Sequence, residues 1–129
     1  RIVGAKILLA EDNPINQEVA KEFLATMGLK VHIVNNGQEA LDALHQQDHD
    51  LVLMDIQMPV MDGYEATRQI RAQGGLATTL PIIALTANAS ADDRLRCLNA
   101  GMDGYLSKPF DRDALDDAIS RLMRRQVVA

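Results

Sequence analysis

Residues 51–63 have the sequence Leu51-Val52-Leu53-Met54-Asp55-Ile56-Gln57-Met58-Pro59-Val60-Met61-Asp62-Gly63. The first four are apolar without interruption, which is typical of a strand buried on both faces of a parallel sheet. The run ends at the carboxylate of Asp55, and Pro59 and Gly63 supply turn residues after it. This segment therefore predicts a buried strand with a carboxylate at its C-terminal end.

Further short runs of mainly apolar residues occur along the chain, and helical spacing of apolar residues separates them. The runs predict strands at Ile7–Ala10, Val31–Val34, Ile82–Leu85 and, as a fifth candidate, Gly104–Ser107. The intervening patterns predict helices over about 14–27, 37–46, 64–73, 90–100 and 111–125. Asn13 suits an N-cap, Pro14 the first helical position and Gly28 a helix end. In the fourth helix we expect Leu95 and Leu98 to form the apolar face.

Five strand and helix units in series predict an α/β domain with a parallel sheet. Right-handed crossovers then place the C-terminal ends of all the strands at one edge of the sheet, where ligands bind in such folds. A typical domain has roughly 150 residues, and no linker-like stretch divides this chain of 129 residues. We therefore expect a single domain over residues 1–129.

The composition excludes several classes of protein. With a net charge of −5 and 47% hydrophobic residues, the chain is not disordered, and no apolar run is long enough to span a membrane. The negative charge, with only two Phe, two Tyr and no Trp, argues against a nucleic-acid surface. The single cysteine, Cys97, excludes an internal disulfide and a cysteine-based zinc site, and we expect it to pack as a small apolar residue.

Two further observations concern the histidines and the start of the chain. The three histidines, His32, His45 and His49, do not cluster in the sequence, so we expect them to be solvated or packed rather than metal ligands. The chain begins with Arg1 and has no signal peptide, so we expect a piece of a longer protein that works inside the cell.

Polar side chains stand at the C-terminal ends of four predicted strands: Glu11 and Asp12 after the first, Asp55 at the third, Thr86 at the fourth and Lys108 after the fifth. Three ionised carboxylates at one edge repel one another, so either one pKa is raised or a divalent cation neutralises them. We expect Mg²⁺, which prefers carboxylate oxygens, keeps waters and bridges to phosphate. Beside a cation, Asp55 is a candidate nucleophile toward a phosphoryl group, with Lys108 and Thr86 as phosphoryl contacts.

The motifs at this edge resemble those of response-regulator receiver domains, the phosphoacceptor modules of two-component signalling. The likeness covers about residues 5–123, which we take as the domain core, and it rests on the segments Leu8–Asn13, Met54–Gly63, Leu85–Ala87 and Ser107–Phe110. The resemblance implies a flavodoxin-like (βα)5 fold, a doubly wound parallel sheet with strand order 2-1-3-4-5. It also implies a cis peptide bond before Pro109.

The resemblance gives each matching residue an expected role. Asp55 would be the phosphorylated residue of a domain that catalyses its own aspartyl phosphorylation and dephosphorylation. The carboxylates of Asp12 and Asp55 and the backbone carbonyl of Gln57 would bind Mg²⁺, and Glu11 would assist through a metal-bound water. Thr86 and Lys108 would contact the phosphoryl group. Thr86 and Tyr105 would act as the conformational switch. Gln57 and Asn88 stand at positions that tune the lifetime of the phosphate in this family.

Within the family, the segments Ala10–Gln17 and Met54–Gly63 look most like receivers attached to hybrid sensor histidine kinases. Such a receiver takes phosphate from a histidine of a kinase dimerisation domain and can pass it to a histidine phosphotransfer domain. Ile15 and Pro109 are the implied partner-docking contacts. We therefore expect a cytoplasmic domain without direct contact to nucleic acid or membrane, whose parent kinase can be anchored in the inner membrane.

Proteins of other functions share parts of this pattern. A flavodoxin-like cofactor binder needs a phosphate-cradling loop after the first strand, and Glu11 and Asp12 would repel a phosphate there. A haloacid dehalogenase-type hydrolase wants a second acid two residues after its aspartate, where Gln57 stands. A stand-alone or transcription-factor receiver, and a docking module that is not phosphorylated, share the same fold and stay open.

Overall fold

The computed structural model of the chain describes residues 4–87 and 90–128, including all side chains except those of residues 76 and 124–128. Within these residues, five strands alternate with five α-helices. The strands are β1 (Lys6–Ala10), β2 (Lys30–Val34), β3 (Leu51–Asp55), β4 (Ile82–Thr86) and β5 (Gly104–Ser107). The helices are α1 (Pro14–Thr26), α2 (Gly37–Gln46), α3 (Gly63–Ala72), α4 (Ala91–Ala100) and α5 (Arg112–Val128).

The strands form one parallel sheet in the order β2-β1-β3-β4-β5. This order and the alternation with helices confirm the flavodoxin-like (βα)5 fold. Ala10 pairs with Met54 across β1 and β3, and Asp55 pairs with Leu85 across β3 and β4. The register therefore brings the residues that end β1, β3 and β4 to the same edge of the sheet.

Two apolar layers cover the two faces of the sheet, because successive residues of a strand point to opposite faces. On one face, alternate strand residues such as Leu8 and Met54 pack against α2, α3 and α4. On the other face, their neighbours such as Leu9 and Leu53 pack against α1 and α5. The continuous apolar runs are thus required by burial on both sides. No helix of the described residues combines the length and apolar character of a membrane span.

Polar caps begin four of the helices. The side chains of Asn13, Asn36, Asp62 and Ser90 accept hydrogen bonds from backbone N–H groups in the first turns of α1, α2, α3 and α4. Gly28 and Gly101 follow the ends of α1 and α4 with φ of +77° and +107°, a conformation that favours glycine. The predicted helix starts are confirmed to within a residue.

The predicted apolar face of α4 was wrong. Leu95 and Leu98 are 57% and 61% exposed, whereas Cys97 and Ala100 are buried against the sheet. Cys97 and Ala100 belong to the apolar layer that also contains Tyr64 and Ile70 of α3, so the packing of α4 against this layer turns the small side chains inward and leaves the two leucines outside. Cys97 does pack as a small apolar residue, as predicted.

A partly buried arginine ties together a region that the sequence patterns did not resolve. A short 3-10 helix at Gly75–Thr78 follows α3, and it was not predicted. The Arg71 guanidinium donates hydrogen bonds to the carbonyl oxygens of Gly101, Ala77 and Leu80. It also forms a 2.9 Å ion pair with Asp103. These contacts join α3, the loop before β4 and the loop after α4.

A substitution at Gly63 tests how closely the start of α3 packs against the end of β3. A methyl group added there would collide with the backbone carbonyl oxygen of Asp55 and would stand 3.0 Å from the Met54 side chain. We expect Gly63→Ala to lower the free energy of unfolding by about 1–3 kcal/mol, because the backbone must shift. The matched control is Gly104→Ala, where the nearest atom, on Ile83, is 4.0 Å away; we expect a change of about 0.5 kcal/mol or less. Equal stability of the two variants in urea titrations would contradict the expectation.

Candidate functional site

Three carboxylates meet at the C-terminal edge of the sheet. Glu11 and Asp12 directly follow β1, and Asp55 is the last residue of β3. Their oxygen atoms lie within 4.8 Å of one another. Glu11 and Asp55 are only 2% and 4% exposed, whereas Asp12 faces solvent. The structure thus brings together the acidic residues that the sequence predicted.

Lys108 directly follows β5, and its side chain reaches this cluster. Its Nζ lies 2.9 Å from Glu11 Oε1 and 3.1 Å from Asp55 Oδ1. The backbone N–H of Lys108 donates to the carbonyl oxygen of Thr86 at 2.7 Å, which extends the pairing of β4 and β5. The peptide bond between Lys108 and Pro109 is cis, as the resemblance implied.

The electrostatics of the cluster are set by burial and by the number of charges. Burial, followed by the nearby charge of Glu11, raises the pKa of Asp55 to about 6, although Lys108 acts in the opposite direction. Burial lowers the pKa of Lys108, but its hydrogen bond to Glu11 and the charge of Asp55 outweigh burial, and the pKa is raised. Lys108 therefore stays charged, while one ammonium group does not compensate two buried carboxylates.

The residues present fit a hard divalent cation. All the ligand atoms that the cluster offers are carboxylate oxygens, and such oxygens suit Mg²⁺ better than zinc or copper. The exposed side of Asp12 leaves one side of the cluster open to water, which Mg²⁺ retains when bound. The backbone N–H of Gln57 donates a hydrogen bond to Asp55 Oδ1, with 3.4 Å between nitrogen and oxygen, so Gln57 also lies at the cluster.

An open pocket of about 770 Å³ surrounds the cluster. Thr86 is buried at the end of β4 and lines this pocket, as do Gln57 and Lys108. Tyr105 lies elsewhere: it is half-buried in a groove between α4, β5 and α5, and the Arg94 guanidinium lies 4.9 Å from the centre of its ring.

The two predicted docking residues are both exposed. Ile15 at the start of α1 is 74% exposed. Pro109 is exposed and lines a small apolar cavity between α1 and the loop after β5, together with Val19 and Phe110. Asn88 lies outside the described residues.

Sequence reasoning missed several neighbours of the site. Asp62, Tyr64, Asp93 and Arg96 also line the pocket. The three-residue spacing from Asp93 to Arg96 indicates that they share a side of α4, but which side faces the pocket depends on how α4 packs.

A histidine pair on another part of the molecule was also missed. His32 Nδ1 and His49 Nε2 lie 3.1 Å apart, so two of the three histidines are packed together although they are distant in sequence. Their rings stack with centres 5.3 Å apart.

The raised pKa of Asp55 makes the stability of the metal-free domain depend on pH. Between about pH 4 and pH 6 the folded chain holds a proton on Asp55 that the unfolded chain releases, so the free energy of unfolding falls as pH rises through this window. Asp55→Asn removes the buried charge. We expect it to raise the free energy of unfolding by about 1–3 kcal/mol at pH 7.5 and to change it little at pH 4.

Urea titrations in EDTA at the two pH values measure this effect. The matched control is Asp117→Asn, which removes an exposed carboxylate paired with Arg121 on α5; it should change stability by about 0.5 kcal/mol or less. An Asp55→Asn variant no more stable than the wild type at pH 7.5 would show that the carboxylate is not destabilised by its surroundings.

Two curated proteins illustrate the similarity of the chain to histidine kinases. The chain is 41% identical over 95% of its length to the probable histidine kinase 6 of Oryza sativa subsp. japonica, of which it covers 14%. It is 42% identical over 88% of its length to the sensor histidine kinase RcsC of Salmonella typhi, of which it covers 12%. The chain thus corresponds to a small part of each of these proteins.

The solved structures include a close match in fold and sequence. The receiver domain of the sensor histidine kinase PA1611 from Pseudomonas aeruginosa PAO1 is 48% identical, with a TM-score of 0.87, over 94% of this chain and 98% of that one. That structure has a magnesium ion coordinated in its active-site cleft. The family model of the response regulator receiver domain matches residues 7–120. The chain therefore belongs to the response regulator receiver domain family of two-component signalling, and it is related to the receivers of hybrid histidine kinases.

Proposed function

We propose that this domain is a Mg²⁺-dependent phosphoacceptor that receives a phosphoryl group on Asp55 from a phosphohistidine. The observation that carries the proposal is the surroundings of Asp55: a buried carboxylate at the end of a strand, 3.1 Å from the Lys108 ammonium group and beside two further carboxylates. A buried carboxylate with a raised pKa is poorly solvated, which favours its reaction with an electrophile once the surrounding charge is balanced.

The transfer uses this chain's residues as follows. A carboxylate oxygen of Asp55 forms a bond to phosphorus, and the phosphorus–nitrogen bond of the donor breaks, its electron pair leaving with the imidazole, which takes up a proton. Lys108 and the hydroxyl of Thr86 contact the phosphoryl oxygens, so that charge and position are controlled together. Mg²⁺ held by Asp12, Asp55 and the backbone carbonyl of Gln57, with Glu11 acting through a bound water, would neutralise the carboxylates and the incoming phosphoryl charge.

In this proposal, phosphorylation of Asp55 would also change the conformation of Thr86 and, through it, that of Tyr105. Thr86 ends β4, and Tyr105 lies on the neighbouring strand β5, paired with Ala84. Movement of the Thr86 hydroxyl toward a phosphoryl group would change the space next to Tyr105. We propose that this pair shifts the population between two arrangements of the α4 and β5 face.

The partners in this proposal are a histidine kinase dimerisation domain as donor and a histidine phosphotransfer domain as recipient. Ile15 and Pro109 are the proposed contacts, supported by the exposure of both residues and by the apolar cavity that Pro109 lines beside α1. The similarity to hybrid kinases supports a parent chain of that type. The proposal includes a cytoplasmic location, because the ATP from which histidine kinases form phosphohistidine is cytoplasmic.

The first test is chemical phosphorylation. The domain is incubated with acetyl phosphate, with and without Mg²⁺, and its intact mass and peptides are measured. We expect a Mg²⁺-dependent gain of one acid-stable, base-labile phosphoryl group on the peptide that contains Asp55, and none in Asp55→Asn. Asp12→Asn should slow labelling strongly, because it removes a ligand of the cation, whereas Asp117→Asn should behave as the wild type. Full labelling of the same peptide in Asp55→Asn would overturn the proposal.

A second test separates docking from chemistry. Ile15→Asp places a charge on the exposed apolar residue at the start of α1, so we expect transfer from a phosphorylated kinase dimerisation domain to slow at least tenfold. Labelling by acetyl phosphate should be unchanged, since that small donor does not dock against α1. Leu95→Asp is the matched control, because Leu95 is similarly exposed but lies on α4. Equal transfer rates for the two variants would remove Ile15 from the docking surface.

A further inference from the structure

The pocket around Asp55 is strongly acidic, although its proposed donor is an anion. Within the described part of the chain, its lining contains two cationic side chains against five carboxylates, which are Glu11, Asp12, Asp55, Asp62 and Asp93. One of the cations, Lys108, is already in contact with two of the carboxylates. Even with a divalent cation bound, an approaching phosphoryl donor would therefore meet an excess of negative charge.

Arg96 is the second cation of this lining. It is an exposed residue of α4, and its guanidinium carbon lies 4.4 Å from the centre of the Tyr64 ring. Tyr64 itself is buried beneath it. Among the described residues, no carboxylate lies within ion-pair distance of Arg96.

The contact with Tyr64 has a specific consequence. An aromatic ring restrains a guanidinium group and attracts it, but it does not cancel the positive charge as a carboxylate would. All five N–H donors of Arg96 also remain unused by the ring face. Arg96 is thus a positive charge in the lining of the acidic pocket that no carboxylate neutralises by direct contact.

We propose that Arg96 attracts the anionic phosphodonor to the pocket before transfer to Asp55. The inference rests on the proposed phosphoacceptor function and adds to it a residue that acts on the approaching donor rather than on the phosphorylated product. The ligand class is a phosphoryl compound that carries two negative charges near neutral pH, such as an acyl phosphate. Because Arg96 acts from the rim and through solvent, its effect should be moderate and should weaken as salt shortens the screening length to below about 8 Å.

The test measures how fast acetyl phosphate labels Asp55 in saturating Mg²⁺, expressed as the apparent second-order rate constant, at about 20 mM and about 500 mM ionic strength. We expect Arg96→Gln to lower the rate constant about two- to fivefold at low salt, with a smaller difference at high salt. Arg96→Lys should restore most of the rate, because it keeps the charge. Asp93→Asn should act in the opposite direction, since it removes a negative charge from the same rim.

Arg94→Gln is the matched control. Arg94 is on the same helix and also lies over a tyrosine ring, but it does not line the pocket. It should leave the rate constant unchanged, and thermal unfolding of each variant checks that the fold is kept.

The outcomes separate this inference from the proposed function. Failure of the wild type to be labelled would overturn the phosphoacceptor proposal itself. A labelled wild type with Arg96→Gln equal to Arg94→Gln would overturn only the role of Arg96. A slow Arg96→Gln that is insensitive to salt and is not restored by lysine would show a packing role and would equally overturn the inference.

Discussion

The site depends on the ion pairs that the Lys108 ammonium group forms with two buried carboxylates. This group contacts Glu11 and Asp55 at 2.9 and 3.1 Å and so joins the residues that follow or end β1, β3 and β5. Without a cation between them, two buried carboxylates this close would repel each other and favour protonation or water entry. Burial and the charge of Glu11 still raise the pKa of Asp55 although Lys108 is present. Lys108 therefore holds the cluster together, but its single positive charge does not balance the negative charges of the carboxylates.

This imbalance connects the fold to the proposed chemistry. A fully neutralised cluster would have no electrostatic reason to bind a divalent cation, whereas three carboxylates with one ammonium group favour one. Burial of these charges lowers the stability of the fold, and the close packing of the two apolar layers on either face of the sheet holds the strand ends in place against it. The close approach of Gly63 to the Asp55 backbone adds a further restraint on the acceptor. In the proposed function, binding of a divalent cation relieves the repulsion that the fold maintains and so offsets the negative charge of the incoming phosphoryl group.

The two sides of the pocket contribute in different ways. The β1, β3 and β5 side presents side chains fixed on strand ends, and these are the groups proposed to contact metal and phosphoryl oxygens. The α3 and α4 side presents Tyr64, Asp93 and Arg96, whose positions depend on how two helices pack. On that side the exposed leucines of α4 and the inward Cys97 and Ala100 show that packing, rather than local hydrophobicity, determined the rotation of the helix. A charge such as Arg96 consequently faces the pocket by tertiary arrangement alone.

The sequence alone determined the succession of strands and helices along the chain, the cap of α1 at Asn13 and the convergence of Glu11, Asp12, Asp55, Thr86 and Lys108 at one edge. Those features follow from local rules: burial on both faces demands unbroken apolar runs, and parallel strands joined by right-handed crossovers must end on the same side. Only the tertiary structure decided which side of α4 is buried, that Arg96 lies over Tyr64, and that His32 meets His49. These contacts join residues of different elements, and they depend on the packing volumes of neighbouring side chains, which no periodicity within a single segment encodes.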